Sequence, residues 1–589
     1  MSDTMSRRTF VAGAALAGFA GAAGIAPMVA KAAEGNVVPE EWDYEYDIVV
    51  CGAGGAGLIA ALKARDAGLE VLNIDANYDI GGHASLSSGI THQGGGTSYQ
   101  IEHGVEDSPE QYYLDHTRPD CSDSRFNDPE IIREAADRMV ECFDWMVEKG
   151  VKFTGDVADK GCGDCETVLR SVFADATGYV NIYNGQVHEG PGSGVSITRP
   201  FEIAGRAQGV NYMMNRHMDS LIQDETGRVI GIRASYTPRL LPDGTQLVAE
   251  HADEGNIEET REEITIKANK AVILATGGGS SNPTYRMMFN PTWGPHMDGT
   301  AGEPWSFQDA SSEIAGLAIG AGLTSAGSWT YLPAMAVAGA ARIGVRYTYA
   351  GNAWTEDSPI WELVNYKGLF PSTWDGCITV NMNGERFGDE YASNHSNEGY
   401  EAQDKFVSAA LGSAILDKGT DHTRRVGGPI WAIFDQSYAD SERFVLEAPN
   451  VDAEHGYFFK GDTLEELAQN IVNKYYEDYP MDPETLVATV ERYNELVDKG
   501  EDEDFGKPSD LMTVKIENGP FYAAWAVPCM HDCLVGLRTN GKRQVLTVGG
   551  EVIPGLYAAG ECSGGHRTHG LGKTQTAGYI AGMYASQEA

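Results

Sequence analysis

The stretch YDIVVCGAGGAGLIAALKARDAGLEVLNID, residues 46–75, is the part of the chain from which the fold can be read. A short β-type apolar run, Tyr46 to Cys51, leads into Gly52-Ala53-Gly54-Gly55-Ala56-Gly57. A helical pattern then continues through Ala67, and a second apolar run, Leu69 to Ile74, ends at Asp75. This is a βαβ unit. Gly-x-Gly-x-x-Gly alone is a weak signal, shared with tight turns in other α/β folds, but its place between strand and helix gives it a physical reason. Glycines let the backbone approach a pyrophosphate at the positive end of a helix. An acid closing the next strand, here 23 residues after Gly52, accepts from ribose hydroxyls. A dinucleotide is therefore expected on Gly52 to Gly57 and Asp75.

Three further segments belong to the same reading. Gly81-Gly82-His83-Ala84-Ser85 follows the second strand directly, with Gly89 shortly after. Ala275-Thr276-Gly277-Gly278 ends the apolar run Ala271 to Leu274. Gly555-Leu556-Tyr557-Ala558-Ala559-Gly560-Glu561 lies close to the C-terminus, and a last helix runs from about Thr574. A nicotinamide enzyme has no need for a dinucleotide site closed by the far end of its chain. Together these motifs resemble the flavoprotein family of fumarate reductases and succinate dehydrogenases, which includes soluble fumarate reductases, urocanate reductases and ketosteroid dehydrogenases. The resemblance covers nearly the whole mature chain. It implies FAD and an α/β (α+β) architecture in which a Rossmann-like FAD-binding domain is interrupted by an inserted capping domain. The expected boundaries are 45–299 and 516–589 for the FAD-binding domain and 300–515 for the cap. Cofactor contacts are expected from Gly81, Gly82, His83, Gly89, Thr276, Gly277, Gly278, Gly560, Glu561 and Thr574 as well as from the first loop. At or next to the position of His83, membrane-bound members attach FAD covalently through His and many soluble members have Asn. Covalent attachment and a hydrogen bond beside the flavin are both open.

A chain of 589 residues exceeds one simple core, so two packed domains are expected. The formal net charge of −42 argues against nucleic acid and anionic membrane surfaces as partners. At the N-terminus, Ser6-Arg7-Arg8-Thr9-Phe10-Val11 precedes a weakly apolar Ala/Gly-rich run to Ala30, and Ala30-Lys31-Ala32 offers a small-x-small cleavage site. Residues 1–34 thus resemble a twin-arginine signal, read by the twin-arginine export machinery, and place the mature enzyme in the periplasm or on the outer face of a bacterial cytoplasmic membrane. The alternative, an uncleaved anchor, is disfavoured by the low hydrophobicity of the run. An amphipathic helix is expected at 128–149 and two acidic helices at 463–476 and 484–498, and the acidic run Glu250–Glu263 reads as a solvated loop.

On the substrate side, Asn383-Gly384-Glu385-Arg386-Phe387-Gly388-Asp389-Glu390 matches the family's Gly-x-Arg-Phe-x-x-Glu. The resemblance also implies two arginines that grip a dicarboxylate, with a histidine and an acidic–arginine relay nearby. By register these arginines fall at Asn394 and Gly570, the histidine at Leu332 and the relay arginine at Thr373. Only the late histidine pair is partly kept, as His531-Asp532, and Arg567 is the candidate replacement for the lost clamp. Carboxylates closed into a low-dielectric site without guanidinium partners cost roughly several kcal/mol. The clustered Trp293, Trp305, Trp329, Tyr331, Tyr347, Tyr349, Trp354, Trp361, Tyr366 and Trp374 suit an uncharged aromatic or polycyclic acceptor, although most such residues are ordinary core. The implied chemistry is hydride transfer from flavin N5 to an activated double bond, with Tyr331, Tyr391, His395 or His531 as proton donor. A ketosteroid-like dehydrogenase working in reverse and a noncatalytic electron relay are the alternatives.

Of nine cysteines, Cys51 reads as a packed apolar group, while Cys162/Cys165 and Cys529/Cys533 match no familiar cluster spacing. Ordinary thiols are expected there, with a disulfide between Cys162 and Cys165 as an alternative, and no metal is expected. About ten residues separate the signal from the first strand. Electrons are therefore expected from a separate donor, a membrane cytochrome or an FMN-bearing protein.

Overall fold

The computed structural model describes residues 37–120, 124, 127–157, 166–179, 190, 192–249, 255–289, 294–325, 329–332, 342–347, 356, 358–390, 428–527, 529–567 and 570–589. In chain order, the elements that position the site begin with β1 (Tyr44–Cys51), α1 (Gly57–Asp66), β2 (Val71–Ile74), β3 (Ile90–His92), α2 (Pro129–Glu148) and β4 (Ser171–Ala174). There follow α3 (Val195–Gln208), β5 (Asn211–Met213), β6 (Arg216–Gln223), β7 (Val229–Tyr236), β8 (Glu263–Leu274), α4 (Ser311–Ala318) and β9 (Trp329–Leu332). The later elements are β10 (Cys377–Val380), β11 (Trp431–Asp435), β12 (Phe458–Gly461), α5 (Pro483–Lys499), β13 (Phe521–Trp525), β14 (Cys529–Cys533), β15 (Gln544–Leu546), β16 (Val552–Ala558) and α6 (Leu571–Ala585).

Among the described residues the larger sheet has eight strands, ordered β15-β16-β8-β1-β2-β5, with β7 on β8 and β6 on β7. Strands β16, β8, β1, β2 and β5 run parallel, each to its neighbour. Parallel strands covered on both faces read as continuous apolar runs, and Ile48 to Cys51 and Val71 to Ile74 are buried without a break. One face packs on α1 and α6, whose Ala/Gly-rich surfaces let the two helices lie close together. The polar exception is Asn73, fully buried, whose amide donates to the Val50 and Gly52 carbonyls at 3.2 and 2.9 Å. It holds the end of β1 to β2 where the glycine loop begins.

A second, antiparallel sheet, β10-β11-β13-β12, carries its own apolar core together with α5. This sheet runs on to Trp525, so the return to the parallel sheet comes after the boundary at 516 read from sequence. The helix expected at 463–476 is shorter, Leu464–Asn470. Ile471 leaves it in extended conformation and is buried in this core. The last helix starts at Leu571, three residues before Thr574.

Candidate cofactor and active site

Strand register brings four chain ends to one place. Cys51 pairs with Ile74 and Leu274, and Ala558 pairs with Leu274. The segments that follow, Gly52–Gly57, Asp75, Ala275–Gly278 and Ala559–Glu561, therefore emerge side by side at the carboxyl edge of the sheet, where open α/β sheets bind ligands. The glycines there are demanded by space. A Cβ on Gly52, whose φ is +104°, would lie 2.2 Å from the Ala275 carbonyl oxygen, and one on Gly57 would lie 1.8 Å from that of Gly52. Gly54 differs: a Cβ there would meet only the Gly81 oxygen, at 3.8 Å, so this glycine keeps the mouth of the loop open at the start of α1. Ala53 N–H donates to Asp75 Oδ2 at 2.6 Å, and Asn77 N–H donates to Oδ1 at 2.8 Å. Burial pushes the Asp75 carboxyl up to about 6 against the pull of those two N–H groups.

The turn that carries Gly81, Gly82 and His83 is clamped from behind. Asp79 Oδ2 accepts from Arg199 on α3 at 2.6 Å, and the other arm of Arg199 holds Glu202 at 2.6 Å, all three being buried. Gly81 N–H donates to the Ala53 carbonyl at 2.8 Å, which joins this turn to the first loop. On the opposite side, the Thr574 methyl faces Gly55 and Gly560, 3.4 and 3.6 Å from where their Cβ atoms would be, and the Gly560 Cβ position lies 3.0 Å from that of Ala56. The first loop, the C-terminal Gly-Glu and the last helix thus form one cradle.

Whether FAD suits these residues can be judged from two buried atoms. Among the described residues Asn77 Nδ2 and Asn215 Oδ1 have no hydrogen-bond partner, although both side chains are buried. They flank the Asp75 turn, where Asn215 N–H donates to the Asn77 carbonyl at 2.8 Å, and Asn215 lines a cleft with Tyr78, Met214, Gln246, Leu247 and Ile257. An unpaired donor and an unpaired acceptor beside a ribose-type carboxylate, with a partly apolar cleft against Asn215, suit an adenosine. FAD fits: Gly52–Gly57 and Thr574 would hold its pyrophosphate, and Asp75 its ribose.

Beyond the cradle, His83, Gln308, Asp532, Glu561 and Lys573 converge. His83, Asp532 and Glu561 each bring one ligand-type atom within 4.8 Å of the others. Gln308 Nε2 lies 3.2 Å from His83 Nδ1 and donates to Glu561 Oε2. Burial, and next the Asp532 charge, raise the Glu561 carboxyl well above the usual range, while burial lowers the Lys573 ammonium against the pull of Asp532 and Glu561. The lysine charge in this cluster disfavours a metal cation among the three ligand-type groups.

The remaining expected residues are distributed as follows. Thr276 Oγ1 pairs with Ser312 Oγ at 2.7 Å, Gly277 faces Gln308, and a Cβ on Gly278 would lie 2.4 Å from that of Cys533. Gly89 is required by a chain crossing, since its Cβ would lie 2.6 Å from the Ser193 backbone. Strand β9 pairs with β14, Tyr331 opposite Met530 and Thr330 opposite Asp532, which puts Tyr331 and His531 on adjacent strands. Arg567 is buried in the loop before α6, its N–H donating to Asn127 Oδ1 at 2.5 Å. Tyr391, His395, Asn394, Cys162, Cys165 and, of the aromatics, Trp293, Tyr349 and Trp354 lie outside the described residues. Trp305 and Trp374 are core side chains, and Thr373 is tied to Glu442 at an exposed turn. Cys529 and Cys533 are buried thiols donating to the backbone carbonyls of Gly299 and Val535. Sequence reasoning missed Lys573, His92 and the Asn77/Asn215 pair. Lys573 had a visible signal, a lone charge in a Gly/Thr/Ala-rich apolar helix.

The profile of the family described as FAD binding domain matches residues 47–307 and 373–573. The fumarate reductase (cytochrome) of Shewanella frigidimarina is 26% identical over 547 residues, 92% of this chain and 76% of that protein. The urocanate reductase of Eggerthella lenta is 27% identical over 536 residues, 89% of this chain and 71% of that protein. Among solved structures, the open conformation of a flavocytochrome c3 fumarate reductase has the same fold, with a TM-score of 0.60 at 23% identity, covering 93% of this chain and 79% of that one.

Proposed function

We propose that this chain, which belongs to the FAD binding domain family and is an FAD-dependent oxidoreductase, reduces the activated double bond of an aromatic or polycyclic acceptor and not of a dicarboxylate. One observation carries the substrate reading. Gly570, where the family resemblance implies a carboxylate-gripping arginine, has φ +86° and ψ −169°, a region essentially closed to residues with a side chain. A Cβ there would also lie 2.8 Å from His92 Cδ2 and 3.1 Å from its Nε2. The imidazole, held by Ser171 Oγ at 2.7 Å from Nδ1, occupies the space an arginine stem needs. The gap in the family match, 308–372, also contains most of the clustered aromatics, which supports divergence on the substrate side.

FAD, when bound, supplies hydride chemistry at N5. The protein's part is to bind, orient and move a proton. In this reading Gly52–Gly57, Asp75, Gly81, Gly82, His83, Thr276–Gly278, Gly560, Glu561 and Thr574 hold the cofactor, and the unit around the β10-β11-β13-β12 sheet is the cap. His531 and Tyr391 are the foremost proton donors, with Tyr331 and His395 as further candidates, and Arg567 orients a polar group of the acceptor. Export is proposed from the twin-arginine pattern at Arg7-Arg8; among the described residues no helix is long and apolar enough to cross a membrane. A separate cytochrome or FMN-bearing protein would then deliver electrons.

The test is to reduce the purified protein anaerobically and follow flavin absorbance as acceptors are added. Fumarate and urocanate are compared with cinnamate-type, flavonoid-type and steroid enones. Rapid reoxidation by an aromatic or steroid enone, with fumarate inert, is the expected result. Reoxidation by fumarate would overturn the substrate reading, and bleaching of the oxidised flavin by a saturated ketosteroid would reverse the direction.

A further inference from the structure

The cofactor cluster contains a cation for which the family resemblance gives no reason. Lysine is almost never fully buried unless paired, yet Lys573 is 7% exposed. It stands in the first turn of α6, one turn on from Gly570, which cannot carry a side chain of its own. Its neighbour Thr574 packs on Gly55 and Gly560, so the lysine lies at the edge of the dinucleotide cradle. Two of the acids that act on it, Asp532 and Glu561, meet His83 with their ligand-type atoms within 4.8 Å.

Two acids and one base do not explain themselves as a structural set. Replacing all three with apolar groups would remove a large desolvation cost. A negative charge that comes and goes beside them would give the lysine a use. Oxidised FAD takes up two electrons, from the separate donor proposed above, and one proton, which goes to N5. The remaining negative charge resides on the isoalloxazine. Hydride transfer from N5 to the acceptor carbon returns the ring to its neutral state, and a protein acid supplies the proton to the adjacent carbon. Charge placed near the ring tunes this balance.

We infer that Lys573 is the electrostatic partner of the reduced flavin: its ammonium stabilises the negative charge gained on reduction and so raises the potential of the bound cofactor. The inference rests on the FAD reading above. Among cations, a lysine suits this task, being a compact point charge on a flexible stem that needs no bidentate partner.

The experiment compares the midpoint potential of bound flavin, by spectroelectrochemical titration, in wild type, Lys573→Met and Lys573→Arg. Lys573→Met is expected to shift the reduction equilibrium at least tenfold toward oxidised flavin, about 30 mV for a two-electron couple. Lys573→Arg should stay close to wild type. If Lys573→Met loses FAD on purification, Lys573→Gln is titrated in its place with the same expectation. Variants that are less stable or hold FAD less tightly, but keep the wild-type potential, would show that the lysine only neutralises Asp532 and Glu561 and would overturn the inference. Wild-type protein without a flavin spectrum would sink the FAD reading itself, an outcome distinct from either.

Discussion

Gly52 and Gly57 illustrate how closely the cofactor loop is packed against its own backbone. With carbonyl oxygens about 2 Å from the positions of their missing Cβ atoms, even alanine forces the loop apart. Gly57→Ala is expected to cost about 1–3 kcal/mol or more and to abolish FAD retention, checked by denaturant titration and flavin content. In the proposed FAD reading, Asp75 would make a pH-dependent contact. Its carboxylate must be ionised to accept both the loop N–H groups and a ribose hydroxyl, and its value is raised to about 6. FAD affinity should therefore fall as pH drops through about 6. Asp75→Asn should bind roughly tenfold more weakly and lose that pH dependence, as read by fluorescence titration. Glu313 on α4 behaves differently. It is fully buried, neither carboxyl oxygen has a hydrogen-bond partner among the described residues, and burial holds it well above its ordinary 4.5. The folded state keeps a proton that the unfolded chain releases. The resulting penalty is absent below about pH 4.5 and grows as pH rises above it. Glu313→Gln removes the penalty, so its melting temperature should exceed that of wild type at pH 8 and converge on it near pH 4.5.

At the scale of elements, one ionic link ties the sheet to the segment leading into α4. His217 on β6 lies between Asp219 and Asp309, at 2.8 and 2.9 Å. Burial opposes its charge, but the two carboxylates prevail and raise it from 6.5 to about 10. The stability it contributes is fully present below pH 6.5 and is lost as pH rises through about 10. His217→Gln is expected to cost about 2 kcal/mol at pH 6, with the difference from wild type shrinking toward pH 10, measured by urea unfolding across that range. Asp309 lies beside Gln308, which reaches His83 and Glu561, so the same link bears on the geometry of that cluster.

For the whole molecule, the dominant quantity is the net charge of −42. Such a surface repels acidic partners and steers basic ones. Reduction of the bound flavin by a basic redox protein should therefore slow as ionic strength rises from about 0.01 to 0.15 M, a range over which the screening length falls from about 30 to 8 Å. Reduction by a small neutral reductant, followed in the same stopped-flow experiment, should change little. Equal salt dependence for the two would show that the surface charge takes no part in donor docking.

The cofactor half of this protein was legible in its sequence because backbone demands leave local marks. Gly52, Gly57 and Asp75 are set by spacing within one βαβ unit, and apolar runs such as Ile48–Cys51 announce strands buried on both faces. The composition at Ala275–Gly278 and Gly555–Glu561 likewise marked the strand ends that close the site. What composition and spacing could not supply were the meetings between distant segments. That His92 fills the space beside Gly570, that Asn77 and Asn215 leave a donor and an acceptor without partners among the described residues beside the Asp75 turn, and that Lys573 joins Asp532 and Glu561 were decided by tertiary structure. Those contacts depend on how β3, β5, β14 and α6 are brought together around the carboxyl edge of the sheet. Local propensity specifies each element, but a side chain's partner across hundreds of residues is chosen only when the packed core sets the distance between them.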